Sequence, residues 1–146
     1  MIGSIDTERF VGLPYAPQGR GPDAWDCWGL VIRVYRESFG VDLPSYAGAY
    51  SDPPETRERS SLIDGEAASS WVQVQAHEIE PGDVMRAWLT DPTSPVHVGV
   101  MVDRFRVLHL GCLRRMDGGI ETSRIERIDS AFLRPRVVGI YRYLRA

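Results

Sequence analysis

The spacing of apolar residues changes at Trp71, from a helical period before it to an alternating one after it. The strongest periodic stretch predicts a helix over Cys27 to Phe39, with apolar residues three and four positions apart. Asp26 stands where a helix N-cap belongs, and Gly40 stands where a helix ends. Because helices come first and short strands follow, the chain is predicted to be an α+β protein with N-terminal helices packed on a central antiparallel sheet.

Weaker signals complete this outline. A short helix is predicted over Ile5 to Val11 with Ser4 as its N-cap, and a partly helical segment over Glu55 to Ser70 that Gly65 interrupts. The predicted strands lie next to turn residues, at Val72 to Val74, Val84 to Leu89, Val96 to Val102, Phe105 to Leu110, Ile120 to Ile125 and Val137 to Leu144. The length of 146 residues points to a single domain, residues 1–146.

The composition excludes several classes of chemistry. All 17 basic residues are arginine, so the chain has neither a Schiff-base lysine nor a P-loop lysine. Asparagine is also absent, which excludes a Cys-His-Asn triad. The net charge of −3 gives no overall basic bias, so nucleic acid is not an expected partner.

The N-terminus and the hydropathy pattern bear on where the chain acts. Acidic residues stand where a signal peptide needs a basic region followed by an apolar one. No apolar run approaches the roughly 20 residues of a membrane-spanning helix. We therefore expect synthesis in the cytoplasm, no membrane insertion, and delivery by another carrier if the protein works outside the cell.

Cys27 is the candidate nucleophile. It is predicted at the first turn of its helix, where unpaired N–H groups and the helix dipole favour the thiolate. The Gly/Pro-rich loop from Leu13 to Asp26 leaves room for a substrate, and N–H groups at the helix start can form part of an oxyanion hole. The alternative is that Cys27 is a small buried hydrophobic residue.

A cysteine nucleophile needs a base, and the chain has three histidines. His97 and His109 lie on consecutive predicted strands that turn near Asp103. In such a hairpin the residue numbers of two facing positions add up to about 206 or 207, and 97 and 109 add up to 206, so the two side chains are expected to lie close together. His109 can then bond the far nitrogen of His97 and orient it. The alternative is a pair of ordinary core or surface histidines, whereas His77 is interpreted as an exposed loop residue without a catalytic role.

Metal binding has weak support. His97 and His109 can act as ligands with Asp103 or Cys112, but the spacing typical of a zinc site is missing. Cys112 is interpreted as structural, and a disulfide between it and Cys27 stays open. We expect no cofactor.

Five short motifs occur in a fixed order, and together they resemble the NlpC/P60 cell-wall peptidases, which are papain-like cysteine peptidases. These motifs are Gly12-Leu13-Pro14-Tyr15, Asp26-Cys27-Trp28-Gly29-Leu30-Val31, Pro81-Gly82-Asp83-Val84, His97-Val98-Gly99-Val100 and Val107-Leu108-His109. The resemblance covers about residues 5–144.

The resemblance implies a role for each site residue. Cys27 is the implied nucleophile, His97 the base, and His109 the third residue that orients the base. Tyr15 borders the implied active site, and with Asp26 and Trp28 it forms the expected substrate and oxyanion region. The implied reaction cleaves peptidoglycan stem peptides, typically between D-γ-glutamate and diaminopimelate or lysine, without a metal.

Trp28 follows the nucleophile where secreted members usually have serine. The Asp-Cys-Trp-Gly-Leu motif is similar to the tail-assembly branch found in phages and gene transfer agents. This similarity implies a tail-tip component of a virion, with tail hub or tip proteins as partners, that opens the cell wall locally during DNA delivery.

Two alternatives remain open at this point. In the first, the chain is mainly a structural tail-tip subunit with weak or lost activity that docks through exposed aromatic residues such as Trp25, Tyr46 and Tyr50. The other alternative is an amidase or acyltransferase on the same papain-like scaffold.

Overall fold

The computed structural model describes residues 4–46, 57–111, 119 and 122–144. Over these ranges the α-helices precede Trp71 and the strands begin at it, so the expected α+β architecture is confirmed. Cys112 and Tyr50 lie outside the described residues, and the predictions made for them therefore stay predictions.

Helix α1 spans Cys27–Val34 and continues as a π-helical turn over Tyr35–Phe39. The predicted helix over Cys27 to Phe39 is thus confirmed in its extent. Asp26 caps its start, and Gly40 ends it with a φ of 67°, in the left-handed region that glycine adopts without a steric penalty.

The predictions for the other two helices need correction. The first is a 3₁₀ turn over Thr7–Arg9 rather than a helix over Ile5 to Val11, and Asp6 rather than Ser4 occupies its N-cap position. Helix α2, Arg57–Ser70, runs through Gly65 without interruption. A single glycine costs a helix only about 1 kcal/mol, which the neighbouring residues can offset.

The described residues contain six strands: β1 Trp71–Val74, β2 Val84–Ala87, β3 His97–Met101, β4 Arg106–His109, β5 Arg124–Arg127 and β6 Val137–Tyr143. They form one antiparallel sheet in the order β1-β6-β2-β3-β4-β5. The neighbouring strands β3 and β4 carry the two histidines His97 and His109.

The strand predicted over Ile120 to Ile125 is displaced toward the C-terminus. Thr122 forms a bridge with Pro14, and Ser123 exchanges backbone hydrogen bonds with Gly12 and Leu13. The backbone N–H and carbonyl groups of Ser123 are therefore hydrogen-bonded to the N-terminal loop, and pairing with β4 begins only at Arg124.

The described residues form an apolar cluster that joins α1 to the sheet. Leu30, Val31 and Val34 of the helix pack with Val98 and Val100 of β3. This packing fixes the first turn of α1 close to the start of β3. Nowhere in the described ranges is a helix long and apolar enough to cross a membrane.

Candidate active site

The start of α1 is held by a buried carboxylate. Asp26 is fully buried, and its Oδ1 accepts a hydrogen bond of 2.7 Å from the N–H of Gly29. The Nη1 of Arg20 donates to the same oxygen at 2.8 Å. Both contacts orient the first turn, and so the structure gives Asp26 a part in positioning Cys27. The predicted contact of Asp26 with substrate stays a prediction.

The glycine-rich loop packs directly against this first turn. The N–H of Asp26 donates to the carbonyl oxygen of Gly19 at 3.1 Å. A Cβ at Gly29 would lie only 2.1 Å from that oxygen, so the close approach requires glycine at position 29. This contact explains the glycine in the second motif, which fixes the loop beside Cys27.

Cys27 is the first residue of α1 and is buried. Its thiol donates a weak hydrogen bond to the carbonyl oxygen of Val96, with a sulfur–oxygen distance of 3.8 Å. Val96 directly precedes His97, so the packing of α1 on β3 brings the candidate nucleophile to the strand that carries the candidate base. The helix start favours a negative charge on the sulfur.

His97 and His109 are both buried and in direct contact. The Nε2 of His97 lies 2.8 Å from the Nδ1 of His109, and the two rings are tilted by 72°. One histidine can therefore orient the other.

This contact arises from a different strand register from the predicted one. Facing positions of β3 and β4 sum to 208, with Gly99 opposite His109, rather than to about 206 or 207. The reason is the turn: the Asp103 carboxylate accepts from the N–H groups of Phe105 and Arg106, so three residues rather than two form the loop. The two histidines are diagonal neighbours on one face of the sheet.

Gly99 makes room for this diagonal contact. A Cβ at Gly99 would lie 2.8 Å from the Cβ of His109 and 2.9 Å from the carbonyl oxygen of Leu108. Without a side chain at this position, the His109 ring can lie across β3 toward His97. The glycine of the His-Val-Gly motif thus has a direct packing role.

Sequence reasoning missed Glu126 of β5. Its Oε1 lies 2.9 Å from the Nε2 of His109 and accepts a bond of 3.1 Å from Arg124, while the hydroxyl of Ser130 donates to its Oε2. The bond with His109 and that with Ser130 lower the pKa of Glu126 from 4.5 to about 2, although burial opposes this change. No local motif marks Glu126, because its contact depends on the pairing of β4 with β5.

Tyr15 and Trp28 lie near the start of α1, and both are half-buried. Tyr15 forms a backbone bridge with Trp25, two residues before Cys27. The indole N–H of Trp28 donates to the carbonyl oxygen of Pro44 at 2.9 Å, and its ring centroid lies 6.4 Å from that of Tyr46. Trp28 therefore connects the first turn of α1 to the segment that follows the helix.

The structure also bears on the predictions made for Trp25, for His77 and for a metal site. Trp25 is buried under the guanidinium of Arg33 at 4.6 Å, so the expectation that it is an exposed docking residue is wrong. His77 is exposed, as predicted, in a 3₁₀ turn over Ala76–Glu78. Across the part of the chain that the structure describes, no group of three or more His, Cys, Asp or Glu side chains is arranged to hold a metal ion.

Comparison with known proteins identifies a relative and two similar folds. The chain is 26% identical over 144 residues to the gamma-DL-glutamyl hydrolase of Bacillus subtilis strain 168, a match that spans 94% of this chain and 28% of that protein. The structure of a lipoprotein-like NLP/P60 family protein from Staphylococcus aureus Mu50 has a TM-score of 0.63 at 20% identity, over 94% of this chain and 39% of that one. This chain spans well under half the length of both proteins.

A second solved structure matches at domain length. The NlpC/p60 domain of the peptidoglycan hydrolase SagA has a TM-score of 0.56 at 17% identity, and the match covers 92% of this chain and 91% of that domain. These likenesses confirm the expected fold. A sequence profile of the NlpC/P60 family matches residues 12–142. With the motifs, the fold and this profile in agreement, the chain belongs to the NlpC/P60 family.

Proposed function

We propose that the chain is a cysteine peptidase that hydrolyses peptide bonds in peptidoglycan stem peptides. The observation that carries this proposal is the contact of buried His97 with buried His109, next to the helix start that holds Cys27. Family membership supports the cell wall as the substrate. The name of the Bacillus subtilis relative, gamma-DL-glutamyl hydrolase, supports the D-γ-glutamyl bond as the bond that is cleaved.

In this mechanism Cys27 is the nucleophile and His97 makes the proton transfers. His97 takes the thiol proton of Cys27, and the thiolate sulfur bonds to the scissile carbonyl carbon. The carbon–nitrogen bond then breaks, and His97 returns the proton to the leaving amine. Water, deprotonated by His97, attacks the thioester, and cleavage of the carbon–sulfur bond restores the Cys27 thiol and releases the new carboxylate.

The oxyanion of each tetrahedral intermediate needs hydrogen-bond donors. The N–H of Gly29 is already bonded to the Asp26 carboxylate, so the earlier N–H groups of Cys27 and Trp28 are the proposed backbone donors. Tyr15, on the loop beside the helix start, borders the same region. His109 holds His97 in the orientation that serves both proton transfers.

The finer proposal is that this activity belongs to the tip of a phage-like tail, where it opens the wall during DNA delivery. The support for this proposal is the motif around Trp28, which resembles that of the tail-assembly branch. In the structure, Trp28 also holds the Pro44 segment against α1. Co-purification of the protein with tail particles, together with antibody labelling at the tail tip, would support this placement. Detection of the protein only outside particles would contradict it.

A mainly structural tail-tip subunit is the alternative function. It requires exposed contact residues, and the burial of Trp25 removes one of those that were expected. Tyr46 is half-buried beside Trp28. A peptidase also gives a reason for a histidine pair beside the cysteine at the helix start, whereas a structural subunit gives none.

The test uses purified protein and a stem peptide that contains a D-γ-glutamyl–diaminopimelate bond, with the products identified by mass spectrometry. Wild type and His77→Ala should cleave this bond equally, because His77 is exposed and lies between β1 and β2, outside the strands that carry His97 and His109. Cys27→Ala should cleave nothing. Equal cleavage by wild type and Cys27→Ala would overturn the proposal, and no cleavage by any of the three proteins would favour the structural subunit.

A further inference from the structure

Three side chains on adjacent strands form a diagonal row. His97 of β3 contacts His109 of β4, and His109 in turn contacts Glu126 of β5. In the strand pairing Glu126 lies opposite Val107, two residues from His109, so its contact with His109 is diagonal. The contact of His109 with His97 is diagonal in the same way, because His109 lies opposite Gly99. The row leads away from Cys27 and ends at a carboxylate.

The carboxylate can only accept hydrogen bonds. The Nη2 of Arg124 donates to its Oε1 at 3.1 Å, and the hydroxyl of Ser130 donates to its Oε2. The same hydroxyl accepts a bond of 3.1 Å from the N–H of Leu133, so its proton is directed at Glu126. The contact of 2.9 Å between Glu126 and the Nε2 of His109 therefore requires the proton to be on that nitrogen.

The tautomer of His109 determines the tautomer of His97. A neutral imidazole has one N–H, so with its proton on Nε2 the Nδ1 of His109 is an acceptor. The Nε2 of His97, 2.8 Å away, must then donate to it. His97 in its neutral form consequently carries no proton on Nδ1, and that nitrogen is able to receive one.

We propose that Glu126 is a positioning residue that holds His109 as the Nε2–H tautomer and thereby makes Nδ1 of His97 the atom that takes the Cys27 thiol proton. The inference rests on the proposed function, because it assigns the proton-accepting atom of the same reaction. Without the carboxylate, His109 is free to move its proton to Nδ1 and donate to His97. His97 would then carry its proton on Nδ1, the wrong atom for a base.

The experiment observes the tautomers directly, by long-range ¹H–¹⁵N correlation NMR of the imidazole nitrogens. The chain has only three histidines, and exposed His77 serves as an internal reference. In the wild type, His109 is expected to be entirely the Nε2–H tautomer. In Glu126→Ala, we expect a mixture of both tautomers for His109 and for His97.

Two further variants separate positioning from general stability. Glu126→Gln keeps an amide oxygen where Arg124 and His109 donate, so it should retain the Nε2–H tautomer. Glu37→Ala removes a carboxylate on the turn over Tyr35–Phe39 that pairs with Arg9 and Arg33, not with a member of the row, and it should leave the tautomers unchanged. On the stem peptide, kcat should fall about 10–100-fold in Glu126→Ala, with KM within about twofold, and should stay near wild type in the other two.

The outcomes distinguish this inference from the proposed function. An Nδ1–H tautomer of His109 in the wild type would overturn the inference, even if Glu126→Ala does not fold. Unchanged tautomers in folded Glu126→Ala would also overturn it. Because the NMR measurement needs no substrate, a protein that cleaves no stem peptide but shows the expected tautomers would contradict the proposed function and support the role of Glu126.

Discussion

Gly29 and Gly65 both lie inside helices, and replacing each by alanine should change stability in opposite directions. A Cβ at Gly65 would meet no atom within 4 Å. Alanine at this position gains the helix propensity that glycine lacks, at no steric cost. We therefore expect Gly65→Ala to raise the free energy of unfolding by about 0.5–1 kcal/mol.

At Gly29 the same methyl group meets the glycine-rich loop. Its carbon would lie 2.1 Å from the carbonyl oxygen of Gly19 and 3.2 Å from Oδ1 of Asp26. The loop or the helix must move by about 1 Å to restore an ordinary contact, and overpacking of this kind costs about 1–3 kcal/mol. This cost exceeds the gain in helix propensity, so we expect Gly29→Ala to lower the free energy of unfolding by about 1–2 kcal/mol.

Thermal unfolding followed by circular dichroism measures both variants. For a chain of this size 1 kcal/mol corresponds to about 3 °C in Tm, so Gly29→Ala should melt about 3–6 °C below the wild type and Gly65→Ala about 2–3 °C above it. Gly29→Ala should also slow stem-peptide cleavage, because the displaced turn carries Cys27. A Gly29→Ala protein that melts at or above the wild-type temperature would refute the packing of the loop on α1.

Three other substitutions test separate contacts by urea unfolding. The folded-state pKa of Glu126 is lowered from 4.5 to about 2, so the carboxylate stabilises the fold above pH 4.5 and this contribution is lost as the pH falls toward 2. Glu126→Gln should lose about 1–2 kcal/mol at pH 7, after discounting for solvent screening, and almost nothing at pH 2; an equal loss at both values would contradict this assignment. Asp26→Ala should lower the free energy of unfolding by about 1–3 kcal/mol, because it removes the helix cap and the Arg20 contact. A decrease of less than about 0.5 kcal/mol would show that neither contact stabilises the fold. Trp28→Ser should lose about 1–2 kcal/mol with the bond to Pro44, whereas an unchanged midpoint would show that this bond contributes nothing.

Local signals in the sequence predicted the part of the site that lies on α1. The Asp26 cap, the apolar spacing from Cys27 and the glycine at position 40 all act within a few residues of one another. Such short-range signals do not depend on how the rest of the chain folds. They therefore located the candidate nucleophile correctly at the first residue of a helix.

Contacts between strands were harder to predict, because register depends on turn geometry. The Asp103 carboxylate stabilises a three-residue loop between β3 and β4. The observed pairing therefore differs from the predicted pairing by one or two positions. Glu126 was missed for a related reason. Pairing of Ser123 with the N-terminal loop displaces β5, and only the resulting register brings Glu126 to His109.

The central claim is that Cys27 is the nucleophile and His97 its base. A stem-peptide mimic with a vinyl sulfone in place of the scissile amide tests it, because a thiolate at the active site forms a stable adduct with this group. Intact-mass analysis and peptide mapping should find one adduct, on Cys27, that fails to form in His97→Ala. Labelling at Cys112 instead, or labelling of Cys27 that is unaffected by His97→Ala, would contradict the account.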